Sequence, residues 1–127
     1  MRQFLTLILG LLVMSGCAET KNLSPAQYKA ELNKSITRSW YDIEDHMDRT
    51  QITPGNVMVR FRLGSDGQIS DVSVIRGNTG MAEALAAEQA VSSQGKFKPW
   101  PEGMAQQIGS SYLWMTMTFE YRKHSMY

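Results

Sequence analysis

The chain has 127 residues, 13 Lys plus Arg against 12 Asp plus Glu, and a single cysteine. That length fits one small domain with no room for a second, and a near-neutral balance excludes nucleic-acid binding by electrostatic attraction. One cysteine excludes an internal disulfide framework.

Met1-Arg2 precedes an apolar run from Phe4 to Met14, followed by Ser15-Gly16-Cys17. A short basic start, an apolar stretch and small residues at a cut site have the form of a bacterial secretion signal. Eleven apolar residues are too few to cross a bilayer, which takes about twenty. Met14-Ser15-Gly16-Cys17 resembles a lipobox, with Met14 in place of the usual Leu. The resemblance implies cleavage between Gly16 and Cys17 and attachment of lipid, palmitate included, to the Cys17 sulfur. The competing reading, an ordinary thiol beside a simple cut site, leaves that thiol with no disulfide partner in an oxidising compartment. The expected division is a signal peptide over 1–16, a lipidated cysteine and tether over 17–24, and one domain over 25–127. Removing Arg2 with the signal leaves 12 basic and 12 acidic residues.

Ser24 is placed to cap a helix that begins at Pro25. Tyr28, Leu32, Ile36, Trp40, Ile43 and Met47 recur at spacings of three and four, an apolar stripe that predicts a helix from about Tyr28 to Met47. Asp42, Asp45, His46 and Asp48 fall on its other side. A metal or acid-base site using Asp42, Asp45 and His46 is one reading of that cluster; a solvated charged face is the other.

Val57, Val59, Phe61 and Leu63 alternate with Met58, Arg60 and Arg62, which predicts a strand with one buried face. Asp66-Gly67 closes a hairpin. Ile69, Val72, Val74 and Ile75 form the return strand, and the slip in their alternation predicts a bulge near Ser70-Asp71. Gly77 to Gly80 breaks the strand, with Asn78 or Thr79 as N-cap of an Ala-rich helix from Met81 to about Ser92. Ala82, Leu85, Ala86, Gln89 and Ala90 are its expected buried stripe, with Glu83, Glu88 and Gln94 toward water. Lys96 to Pro101 is an aromatic-proline loop clamped on the core, and a polar loop leads to a third strand over Tyr112 to Arg122. The predicted fold class is α+β: a small three-stranded antiparallel sheet, a helix before it and a helix between its second and third strands.

The strand Val57 to Leu63, the turn Asp66-Gly67, Val72 to Val74, the Ala-rich helix and Phe97 to Pro101 resemble, in order and spacing, the C-terminal domain of the TonB and TolA proteins. The segment from Tyr28 to Tyr41 is similar to the helix that precedes the sheet in the TolA-like branch. The likeness runs from about Pro25 to Lys123. It implies a non-enzymatic module of the bacterial envelope, acting in outer-membrane transport or envelope integrity. It also implies that a partner's extended segment adds to an open sheet edge. The partner classes are a TonB-dependent receptor, a Tol-like component or a secretion assembly, with a strand-paired homodimer as a further possibility. The energising role is not carried over, because the six residues Ala18 to Leu23 reach only about 20 Å when extended.

The expected edge is the third strand, with Tyr112, Trp114, Thr116, Thr118 and Glu120 as partner-binding residues on its second face. The alternative is that this face packs beneath the Tyr28 to Met47 helix, leaving Glu120, Arg122 and Lys123 only to discourage aggregation. Arg60 and Arg62 read as a solvated pair. No nucleophile elbow, phosphate loop or zinc spacing is present, so neither metal nor cofactor is expected. The lipid anchor implies a protein facing the periplasm, with Ala18 after Cys17 pointing to the outer membrane.

Overall fold

A computed structural model describes residues 23–122. The elements are α1 (Pro25–Glu44), a 3₁₀ turn (Arg49–Gln51), β1 (Gly55–Gly64), β2 (Ile69–Gly77), α2 (Met81–Ser92), a short α3 (Met104–Ile108) and β3 (Tyr112–Tyr121). The three strands form one antiparallel sheet in the order β2-β1-β3, and the longer helices cover one face of it. This is the α+β arrangement expected from the sequence.

The start of α1 is fixed by a capping box. Gln27 N–H donates to Ser24 Oγ at 3.1 Å while Ser24 N–H donates to Gln27 Oε1 at 2.9 Å, and Pro25 occupies the first turn. Tyr28, Leu32, Ile36 and Trp40 form its buried stripe. The helix stops at Glu44, so Met47 lies beyond it in the turn that follows. Asp48 opens the next turn by accepting from Thr50 N–H and Thr50 Oγ, and those two bonds hold its carboxyl below the ordinary range.

β1 is the central strand, and Val57, Val59, Phe61 and Leu63 are fully buried on its helix side. Its pairing with β2 slips twice, between Met58 and Val59 and between Arg60 and Arg62. Asp71 takes a positive φ of 51° inside the second slip, where a break in alternation is expected.

α2 is rotated from its expected orientation. Its buried residues are Glu83, Ala86, Ala87, Ala90 and Val91, whereas Ala82, Leu85 and Gln89 face outward. The Glu83 carboxylate turns inward because Thr53 N–H donates to it at 2.8 Å and because an acidic group suits the first turn of a helix. Gln94 is likewise not given to water: it accepts from Ser35 Oγ and donates to Ser39 Oγ, both at 2.8 Å, tying α1 to the end of α2. The N-cap is Gly80, without a side-chain bond. Asn78 accepts instead from Asn56 N–H at 2.6 Å, and the Thr79 hydroxyl donates to the Thr53 carbonyl.

The loop over 95–101 is clamped as anticipated. Phe97 N–H donates to Gly67 O at 2.8 Å, Trp100 N–H to Ser65 O at 2.9 Å, and the Tyr28 hydroxyl to Lys98 O at 2.6 Å. Trp100 and Pro101 are buried. The stretch read as a polar loop after Pro101 contains α3, which inserts the fully buried Met104 into the core.

Candidate functional site

β3 pairs with β1 in unbroken register from Gly55↔Tyr121 to Gly64↔Tyr112. Its other side has no backbone hydrogen-bond partner among the described residues. The opposite edge differs: β2 carries both register slips, and its start is covered by the 95–97 segment, with Ile69 N–H donating to Gly95 O at 2.9 Å. Bulges and covering loops are how sheets block further pairing. Among the described residues one edge of this sheet is therefore blunted and the other regular and open.

Side chains along β3 alternate. Leu113, Met115 and Met117 face the helices but are only partly buried, while Phe119 and Tyr121 are fully enclosed. Tyr112, Trp114, Thr116, Thr118 and Glu120 all point to the face without helices, and Tyr112 and Trp114 are 37% and 48% exposed. The reading in which this face packs under α1 is thereby overturned. The helices lie on the other face because that is where β1 is continuously apolar.

Arg60 and Arg62 are not an idle solvated pair. The Arg60 guanidinium lies 4.8 Å from the centre of the Trp114 ring and that of Arg62 lies 3.9 Å from the Tyr112 ring. In register Arg60 opposes Thr116 and Arg62 opposes Trp114, so each arginine leans diagonally onto the aromatic residue two places along. The signal was present in the sequence as Arg60-x-Arg62 and Tyr112-x-Trp114. It becomes readable only once the two strands are set antiparallel and in register.

At the hairpin end of this face lies a shallow cleft of about 310 Å³, whose lining includes Arg62, Asp66, Gln68, Ser70, Ser111 and Tyr112. Another cleft, about 370 Å³, is bounded by Met47, Ile52, Thr53, Met81 and the buried Glu83, where the turn after α1 meets the start of α2.

The acidic cluster of the first helix does not converge on a point. His46 Nδ1 lies 2.7 Å from the carbonyl of Asp42, the bond of a side chain to its own helix end, and Asp48 is engaged by Thr50. Among the described residues no three His, Cys, Asp or Glu side chains gather as metal ligands. Gly16 and Cys17, with the signal and most of the tether, lie outside the described residues. Among the described residues no helix is long and apolar enough to cross a membrane.

Comparison with solved structures places this architecture. The chain is similar to the Helicobacter pylori TonB C-terminal domain (residues 179–285), with a TM-score of 0.53 and 20% identity over 75% of this chain and 83% of that one. This chain has the fold of a TonB C-terminal domain. A second structure of that domain (residues 194–285) matches with a TM-score of 0.49 and 21% identity, over 71% of this chain and 95% of that one. No protein-family model and no curated protein matches the sequence. Among the described residues β3 is the last strand and an edge of the sheet.

Proposed function

We propose that this chain is a non-enzymatic binding module of the bacterial cell envelope, which takes an extended segment of another envelope protein as a fourth strand beside β3. The observation that carries the proposal is the contrast between edges: β3 is regular over ten residues and open, while β2 is bulged and covered. An open, unbulged edge is a template for pairing, and alternate side chains on both of its faces supply the selectivity that backbone bonds lack.

The TonB-like fold and the lipobox-like sequence at Gly16-Cys17 together support a protein anchored by lipid at Cys17, facing the periplasm from the outer membrane. The partner belongs to the machinery of outer-membrane transport or envelope integrity: a TonB-dependent receptor, a Tol-like component or a secretion assembly. A second copy pairing through the same edge is the homodimeric version of this contact.

A structural role through the α1 surface is the competing reading, favoured by Tyr41, which is 57% exposed and stacked on Trp40 at 5.4 Å. In-cell crosslinking from a photoreactive residue at Thr116 or Thr118 distinguishes the two. Strand addition predicts adducts that map to one extended segment of one envelope protein. Adducts obtained from positions 42 and 45, with none from β3, overturn it.

A further inference from the structure

The strand-addition reading leaves open which segment fits. Resting on that reading, we propose that the segment alternates apolar and acidic residues, with its acidic side chains held by Arg60 and Arg62.

The inner row sets one half of the pattern. Leu113, Met115 and Met117 pack on the core but remain partly accessible at the edge, where β3 has no neighbour among the described residues. A fourth strand lies about 4.8 Å beyond β3 and its side chains alternate between faces. Apolar residues at every second position complete the cover over these three.

The outer row sets the other half. Arg60 and Arg62 do not point straight out from β1; each reaches across to a β3 aromatic ring, which carries its charge toward the open edge. Stacking occupies the flat face of a guanidinium and leaves its edge N–H donors for a carboxylate. Among the described residues Arg60 has no carboxylate within 4.0 Å. Arg62 has one, Asp71, at 3.9 Å, on the β2 side, beyond hydrogen-bonding distance and exposed to water. Arg76 opposes Met58 and adds a third exposed cation on this face. The only acid in the outer row of β3, Glu120, sits at the far end and is bonded to Arg122 at 2.9 Å. The half of the face around Tyr112 to Thr116 therefore sets Arg60 and Arg62 against aromatic rings, and its acids, Asp71 and the Asp66 that lines the cleft beside Arg62, belong to β2 and the hairpin turn rather than to the open edge. A second copy of the chain presents Tyr112, Trp114, Thr116, Thr118 and Glu120 in that row, a single acid already bonded to Arg122, and does not supply acids at alternate positions.

The probes are three end-capped ten-residue peptides alternating Val with Glu, Gln or Lys, titrated into the full-length protein and followed by backbone amide shifts. The Val-Glu peptide is expected to shift β3 amides and bind about tenfold more tightly than Val-Gln, with Val-Lys weakest. In the R60Q/R62Q double variant the Val-Glu affinity falls to that of Val-Gln, whose own affinity is unchanged. Equal affinity for Val-Glu and Val-Gln, or a preference that survives in the double variant, overturns the acidic selectivity while leaving strand addition standing. No β3 shift with any of the three overturns both. Shifts of β3 amides with protein concentration before peptide is added identify a second copy as the occupant and overturn the foreign acidic strand.

Discussion

Trp40 and Tyr121 meet through a buried hydrogen bond. The indole N–H donates to the tyrosine oxygen at 2.8 Å, and that hydroxyl in turn donates to the Glu83 carbonyl at 2.9 Å. One phenol thus joins α1, the end of β3 and the first turn of α2, with the two rings edge to face at 5.3 Å. It fixes the last strand against both helices while the strand's outer side has no partner among the described residues.

Replacing Tyr121 with Phe keeps the ring and removes the junction, leaving the Trp40 N–H and one carbonyl lone pair without that partner. The expected loss is about 1–3 kcal/mol, the cost of orphaning buried polar groups. Urea unfolding should show a lower midpoint with an unchanged slope.

Burial pushes the phenols of Tyr28 and Tyr121 each up to about 12. In the unfolded chain a tyrosine ionises near pH 10. The neutral forms therefore contribute stability that is complete below about pH 10 and is lost as pH rises from there through about 12. Stability measured across that window should fall with pH, and the fall should be shallower in a Tyr28→Phe variant. An unchanged slope in that variant contradicts the assignment.

Gly67 has φ +89°, and a Cβ there would stand 2.1 Å from the carbonyl oxygen of Phe97. Gly67→Ala thus strains the turn and pushes away the segment that covers the start of β2. The expected cost is about 2–4 kcal/mol. A red shift of tryptophan emission should accompany it as Trp100 loosens, with the helix content retained.

Much of this architecture was legible before any coordinates. The period-two runs at Val57 to Leu63 and Tyr112 to Tyr121 gave strands because each has one continuously apolar face, and the slip at Ser70-Asp71 became a bulge. What failed was local and had tertiary causes. Glu83 reads as a surface residue until Thr53 N–H is brought to it from thirty places earlier in the chain. Once Glu83 turns inward, the buried stripe of α2 shifts by one position, to Ala87 and Val91 beside Ala86 and Ala90. Gln94 reads as a surface residue for the same reason, since its partners Ser35 and Ser39 lie on another helix. The edge was anticipated, but the arginine-aromatic rungs were not, because diagonal neighbours appear only when register is known.

The central claim is that β3 receives a strand, and amide hydrogen exchange tests it most directly. In an edge strand every second N–H points away from the sheet and exchanges freely; an added strand covers that set. With the segment captured at Thr116 bound, exchange should slow at alternate amides between Tyr112 and Tyr121, with little change in α1. Protection spread over α1 around Asp42 and Asp45, with the β3 amides unaltered, would contradict the account.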